Sequence, residues 1–388
     1  MVSSLEQIIN SFEIIHMNLA SPQQKSELFA FGLHKFSYLC ASNRAHRFCA
    51  HYSMIKMSTK RTIAIVCGGD SSEHEVSLRS AQGLYSFFDH DRYNIYIVWM
   101  RGLDWHVKLP DGATQPIDRN DFSFVLGDEK VTFDYAYITI HGTPGENGIL
   151  QGYFDLLRIP YSTCSVLVEA LTFDKFALVR YIRAFGVNTA ESVLVRRDDD
   201  NRIQPAEIER RLGMPCFVKP VANGSSFGVS KVKSADQLEE AIQKAFEEGD
   251  DVMIESYLNG TEVTVGCYKT RDKTVVFPVT EVVTDNEFFD YDAKYNGQVD
   301  EITPARISDE LTAQLQALTA RIYGIMHCNG IIRIDYIITK NEDGSDRINL
   351  LEINTTPGMT ATSFIPQQVR AAGLDIKDVL TEIVENQF

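Results

Sequence analysis

The chain has 388 residues, 44% hydrophobic and 23% charged, a balance that suits a multi-domain globular protein with ample core and excludes disordered and fibrous classes. Net charge is −16, and no basic stripe with interleaved aromatics is present, so nucleic acid is not an expected partner. No stretch approaches the roughly 20 apolar residues of a membrane span, and seven scattered cysteines without CxxC pairs point to a reducing cytoplasm rather than a disulfide framework.

Residues 1–57 differ from the rest of the chain. They hold four of the nine His and carry five Lys and Arg against three Asp and Glu, a charge of +2 that leaves −18 for the remainder. No basic n-region, apolar h-region and small-residue cleavage site occur in order, so a secretory signal is not expected. Met57 directly precedes a strand. The segment before it reads as an extension outside the fold, with the natural start at Met57 or Met54; a helical appendage is the alternative.

From Arg61 the order is that of alternating strands and helices. Thr62–Cys67 is a short apolar run suited to a buried parallel strand, broken by Gly68-Gly69. A helix comes next, with Val76, Ser80, Gly83, Leu84 and Phe87 on one side, and Ile95–Trp99 completes a βαβ unit. Asp134–Ile140 gives another strand, then the His141–Gly148 turn and a helix over Ile149–Leu157. Ligands of such open sheets lie beyond the carboxyl ends of the strands, which places Glu73 and His141 at the ligand edge. The double glycine lacks GxGxxG spacing, which argues against a nicotinamide cofactor.

A second segment begins near Ala170, with Lys175 in a helix over Leu171–Phe185, a strand at Glu191–Arg197 and another at Cys216–Pro220. The loop after Pro220, with Asn223, Gly224, Ser225 and Ser226, is small enough for backbone amides to approach phosphate, while Lys175 and Lys219 supply positive charge. It is no Walker A sequence, and a plain hairpin turn is the alternative. Ser234 with Gln237 predicts a capping box for a helix over Ala235–Phe246. Further strands are expected at Asp251–Leu258 and Val263–Tyr268. Glu255, the Ser256–Leu258 backbone and Glu262 can serve an adenine amine and ribose hydroxyls, or be solvated strand ends.

The last part carries the strongest signal. Arg333 and Asp335 lie on an apolar strand, and the next strand ends in Glu352-Ile353-Asn354-Thr355-Thr356-Pro357-Gly358. Hard divalent ions take oxygen ligands, and one bridging phosphates needs only one or two carboxylates, so Asp335, Glu352 and Asn354 read as a magnesium site. The irregular, polar segment 285–304 suits a closing lid.

These motifs together resemble the ATP-grasp superfamily and, within it, the D-alanine:D-alanine ligase family, from Arg61 to Asn386. The resemblance rests on Gly68-Gly69 through Ser77, His141-Gly142 through Gly152, Val218-Lys219-Pro220 with Gly224-Ser225-Ser226, Tyr291–Tyr295, Arg333-Ile334-Asp335 and Glu352–Thr360. It implies an α/β, three-domain ATP-grasp architecture with an N-terminal open parallel sheet, divided at 58–163, 164–254 and 255–388. It implies ATP-dependent joining of two D-alanines through a D-alanyl phosphate for peptidoglycan synthesis. Two magnesium or manganese ions would sit on Asp335, Glu352 and Asn354, and Lys175, Lys219 and Lys294 would contact phosphate. Arg333 and the Gly358 amide would stabilise the intermediate. Glu73, linked to Ser225 and Tyr295, would hold the first D-alanine, and Ser363 with Phe364 the second. His141 would orient substrate or phosphate, or merely cap its strand. A homodimer is also implied. Phe289, Ser256 and Tyr257 depart from residues common among relatives without removing a catalytic group. Tyr295 favours an amine nucleophile over a hydroxy acid. The alternatives are a D-alanine:D-lactate or D-serine ligase and a non-catalytic nucleotide-binding regulator.

Overall fold

The apolar run after Lys60 forms β1 (Arg61–Gly68), whose residues alternate between two cores. The structure is a computed structural model describing residues 60–109, 111–198, 204–222, 227–284 and 299–388. The extension to residue 57, Ser225, Phe289, Lys294 and Tyr295 lie outside the described residues.

Ile63, Ile65 and Cys67 of β1 face α1 (His74–Phe87), while Ala64 and Val66 face the opposite core. The fully buried side of α1 is Ser77, Ser80, Ala81 and Leu84, one step around from the predicted stripe, in which Val76, Gly83 and Phe87 are half-buried. After α1 come β2 (Tyr93–Arg101), β3 (Asp104–Lys108), β4 (Thr114–Pro116), the small hairpin of β5 (Phe124–Leu126) and β6 (Glu129–Val131), and β7 (Tyr135–Ile138). The sheet order is β4-β3-β2-β1-β7. Only β2-β1-β7 is parallel, and β3 and β4 add an antiparallel edge, so the sheet is mixed rather than purely parallel. A strand of this edge follows its neighbour by a tight turn, which only antiparallel pairing permits.

The helix α2 (Ile149–Leu157) matches expectation, but the next predicted helix is broken into α3 (Val166–Phe173) and α4 (Lys175–Arg183). The cause is Asp174, whose carboxylate accepts a 2.8 Å hydrogen bond from the Ala177 amide and restarts the helix. Then come β8 (Ser192–Arg196), α5 (Pro205–Leu212), β9 (Cys216–Pro220), β10 (Ser230–Val232), α6 (Leu238–Phe246) and β11 (Asp251–Ser256), with sheet order β10-β9-β11-β8. Residues Ala235–Gln237 form a 3-10 turn ahead of α6, and Ser234 makes no side-chain cap. The capping box is not made: Gln237 Oε1 accepts from the Lys233 amide instead.

The remaining elements are β12 (Thr261–Lys269), β13 (Thr274–Val276), β14 (Thr280–Thr284), β15 (Val299–Ile302), α7 (Asp309–Met326), β16 (Ile332–Lys340), β17 (Asp346–Asn354), α8 (Phe364–Ala371) and α9 (Ile376–Glu385). The sheet runs β15-β14-β12-β16-β17 and packs one face on Leu315, Ile322 and Tyr323 of α7. Residues 299–302, expected within an irregular lid, are therefore strand, paired antiparallel to β14. Val369 of α8 and Leu380 and Ile383 of α9 return to the core beneath β1. Arg61 Nη1 meets Glu385 Oε2 at 2.7 Å there.

Candidate active site

Each of the three larger sheets brings side chains to one cavity of about 820 Å³, within the range of small-molecule sites. The first sheet contributes its carboxyl edge. Gly68 and Gly69 have φ of +104° and +90°, and a Cβ on Gly68 would stand 2.3 Å from the Met100 carbonyl oxygen, so only glycine permits this turn. It ends at Glu73, the N-cap of α1, which lines the cavity. The hydroxyl of Ser71 donates to the His141 carbonyl at 2.7 Å, and that of Ser77 to the Thr139 carbonyl at 2.6 Å. These bonds fasten the loop after β1 and the start of α1 to the segment after β7. His141 is buried, lines the cavity, and has no hydrogen-bond partner for Nε2 among the described residues.

The second sheet contributes cations. Strand alternation puts Cys216, Val218 and Ile254 against α6 and turns Lys219 and Glu255 toward the cavity. There Lys219 Nζ and Glu255 Oε1 meet at 2.5 Å, both nearly buried. Glu255, expected to face an adenine or ribose, thus spends one oxygen on Lys219. Lys175 opens α4, and Glu262 and Leu258 line the same cavity. Ser256 is held by Glu191 through both amide and hydroxyl. Removing one member of a buried pair leaves a charge stranded, at a cost of about 3–5 kcal/mol. Lys219→Met is therefore expected to lower the thermal midpoint and raise the KM for ATP, whereas an unchanged midpoint would show that the pair is well solvated.

The third sheet supplies oxygen-bearing side chains. On β16 and β17 the pairs are Arg333 with Asn354, Ile334 with Ile353, and Asp335 with Glu352. The period of two places Arg333, Asp335, Glu352 and Asn354 on one face, while Ile334 and Ile353 fill the core on the other. A bulge comes next: Tyr336 pairs with Leu350, so Leu351 is extra. Bulges re-aim side chains beside active sites; here Leu350 and Ile353, three apart, both stay in the core.

Arg333 clasps Asp335 with two hydrogen bonds of 2.9 Å, and its guanidinium lies 5.2 Å from the Phe364 ring centroid. Burial works against its charge, yet Asp335, Glu352 and Glu146 hold Arg333 above its ordinary value. Asn354 Nδ2 lies 3.1 Å from Asp335 Oδ2 and 3.4 Å from Glu352 Oε1. Here the amide nitrogen of Asn354 faces both carboxylates; two carboxylates and a carboxamide are donors of the type a hard divalent cation takes, and could hold one once the carboxamide turns its oxygen inward.

The chain then runs through Thr355 and Thr356 to Gly358. A Cβ on Gly83 of α1 would stand 2.3 Å from the Met359 carbonyl oxygen, so α1 and this loop meet backbone to backbone. Ser363, the N-cap of α8, bonds Thr360 Oγ1 at 2.8 Å and lines the cavity with Gly358 and Phe364.

Three participants escaped sequence reasoning. Thr264 donates its hydroxyl to Asp335, and extending the strand period from Glu262 would have found it. Glu146 binds Gly142 N and Thr356 Oγ1; its signal was a carboxylate inside a glycine-rich turn. Glu169 accepts from Cys164 N at 2.7 Å and Thr355 Oγ1 at 2.6 Å, and its signal was one carboxylate in an otherwise apolar helix.

Burial, then the neighbouring Cys164, push the Glu169 carboxyl well above the usual carboxylate range, against the pull of the Thr355 hydrogen bond. A folded-state rise stabilises fully below the unfolded value of about 4.3 and is lost as pH climbs through the folded value. Glu169→Gln is therefore expected to match wild type in urea melts at acid pH and to exceed it increasingly at neutral and alkaline pH. A gap independent of pH would refute this.

Cations on one wall and hard-ligand oxygens on the other suit a triphosphate lying between them, and Glu73 with the Gly358 loop supplies a polar pocket at its end. Fold and site together define an ATP-grasp ligase, an enzyme that activates a carboxylate with ATP. Family models described as the D-ala D-ala ligase N-terminus and C-terminus match residues 62–164 and 181–385. A D-alanine--D-alanine ligase of Bacteroides fragilis is 65% identical over 329 residues, 85% of this chain and all of that protein. Among solved structures, the VanG D-Ala:D-Ser ligase from Enterococcus faecalis superposes with TM-score 0.76 at 30% identity, covering 85% of this chain and all of that one. A D-alanine--D-alanine ligase from Bacillus anthracis complexed with ATP gives 0.65 at 25% identity, covering 84% and 97%. The chain belongs to the D-ala D-ala ligase family, whose ATP-dependent enzymes make D-alanyl-D-alanine for peptidoglycan.

Proposed function

We propose that this cavity joins two D-alanines through a D-alanyl phosphate, with its lining residues in defined roles. The γ-phosphoryl group of ATP passes to a carboxylate oxygen of the first D-alanine, releasing ADP. The amine of the second attacks the acyl carbon, the bond to phosphate oxygen breaks, and the amine sheds its proton as phosphate leaves. Phosphorylation is needed because carboxylate oxygen is a poor leaving group.

Lys175 and Lys219 contact the phosphates, with Glu255 orienting Lys219, and Lys294 joins them from outside the described residues. Leu258 and the Ser256 carbonyl serve the adenine, and Glu262 the ribose. Asp335, Glu352 and Asn354 would hold magnesium or manganese, two ions per site, which supply charge neutralisation at the triphosphate. Glu73 receives the ammonium of the first D-alanine, in a network with Ser225 and Tyr295. The Nε2 of His141, without a hydrogen-bond partner among the described residues, supports a role in orienting that substrate. Arg333 and the Gly358 amide stabilise charge on the acyl phosphate and the tetrahedral centre. Ser363 and Phe364 form the second D-alanine site, and the segment 285–304, of which residues 285–298 lie outside the described residues, serves as the lid that excludes water.

The observation that carries this reading is the ribbon: Arg333, Asp335, Glu352 and Asn354 share one face across the same cavity as Lys219 and Glu73. The reading extends to a cytoplasmic homodimer with domains at 58–163, 164–254 and 255–388 and with residues 1–57 outside the catalytic fold. Family matches beginning at residue 62 support the last point.

The test is ADP release with D-alanine alone, or with D-lactate or D-serine added, the product identified by mass. D-alanyl-D-alanine from D-alanine alone is expected. An ester or a D-serine dipeptide as the dominant product would overturn the assignment of the second site, and nucleotide binding without turnover would overturn the enzyme.

A further inference from the structure

One buried carboxyl ties two separate parts of the site together. Glu146 lies on the turn between β7 and α2, where its Oε2 accepts a 2.7 Å hydrogen bond from the Gly142 amide. Its Oε1 accepts the Thr356 hydroxyl. Gly142 directly follows His141, in the loop that Ser71 fastens to the Glu73 turn. Thr356 stands two residues beyond Asn354 and two before Gly358. Glu146 also lines the cavity with Glu73 and Gly358, and burial holds its carboxyl above the ordinary range. The adjacent Thr355 is bound by Glu169 of α3. Consecutive hydroxyls are thus gripped by carboxyls from two different elements, while Gly83 seats the far end of the loop on α1.

We propose that Glu146 is a positioning residue of the ligation: by bridging the Gly142 amide and the Thr356 hydroxyl it fixes the Gly358 amide relative to Glu73, so that the acyl phosphate forms within reach of its stabilising donor. The inference rests on the dipeptide-forming reading of the cavity. It concerns registry, since both oxygens of Glu146 are spent on groups belonging to loops that carry other site residues. Small misplacement at such a site is costly. A loose loop leaves the acyl phosphate to be attacked by water, returning D-alanine and phosphate while consuming ATP.

The experiment measures ADP and dipeptide together for the full-length wild type, Glu146→Ala, Glu146→Gln and Thr356→Val. For Glu146→Ala, kcat/KM for D-alanine is expected to fall about 10- to 100-fold. The KM for ATP should hold, because the nucleotide contacts lie on other elements, and the ratio of ADP to dipeptide should rise above one. Glu146→Gln keeps an acceptor for Gly142 and a hydrogen bond to Thr356, and should restore most activity and coupling. Thr356→Val cuts the tie from the opposite side and should reproduce the uncoupling, and combining it with Glu146→Ala should add little further. Ratios of one in both Glu146→Ala and Thr356→Val, or a Glu146→Gln as uncoupled as Glu146→Ala, would overturn the proposal. A wild type that makes no dipeptide would instead overturn the functional reading on which it rests.

Discussion

Replacing Arg333 by methionine is expected to lower kcat/KM for D-alanine by about 10²- to 10³-fold, the loss typical when one preorganised charge-stabilising donor is removed. The guanidinium is anchored by two 2.9 Å bonds to Asp335 and packs over Phe364, so its position is set before substrate arrives. The same substitution strands Asp335, and the broken buried pair should cost about 3–5 kcal/mol of stability. Arg333→Lys separates the two effects. It retains a cation beside Asp335 but not the planar fork, so the thermal midpoint should recover substantially while turnover stays low. Activity that tracks the midpoint across both variants would mean Arg333 is only structural.

Removing an oxygen proposed to hold the metal should have a comparable effect. Glu352→Gln keeps the shape of the ribbon but takes away a carboxylate directly opposite Asp335. A metal's charge stabilisation is worth several kcal/mol, so a weakened site should lose about 10²-fold or more in turnover at fixed metal. The independent readout is manganese affinity in the presence of nucleotide, followed by electron paramagnetic resonance. Glu352→Gln should bind manganese more weakly, and Asp335→Asn should do likewise. Unaltered manganese binding in both would remove these residues from the metal site.

Much of this site was legible because strand geometry converts spacing into position. Arg333 and Asp335, two apart on one strand, and Glu352 and Asn354, two apart on the next, had to share a face once the strands paired in register. Glu73 and His141 could be placed because ligands collect at the carboxyl edge of parallel strands. What sequence did not show depended on contacts between distant residues. The Arg333–Asp335 clasp arises between residues expected to serve different partners, and Lys219–Glu255 joins two more across neighbouring strands. Nothing local announces that Glu146 and Glu169 meet Thr356 and Thr355, roughly 200 positions away. Local misreadings had local causes. Asp174 accepts an amide hydrogen bond and interrupts an otherwise continuous apolar period, and Gln237 reaches Lys233 rather than completing its box. Strand character at Val299–Ile302 comes from pairing with β14, which outweighs a polar composition.

Heavy-oxygen labelling decides whether ATP activates a D-alanine carboxylate as an acyl phosphate. D-alanine labelled in its carboxylate is incubated with ATP, magnesium and the full-length protein, and the released phosphate is examined by mass. Transfer of label to the phosphate, in step with ADP and D-alanyl-D-alanine, is the predicted result. Unlabelled phosphate, or AMP and pyrophosphate in place of ADP, would contradict the account.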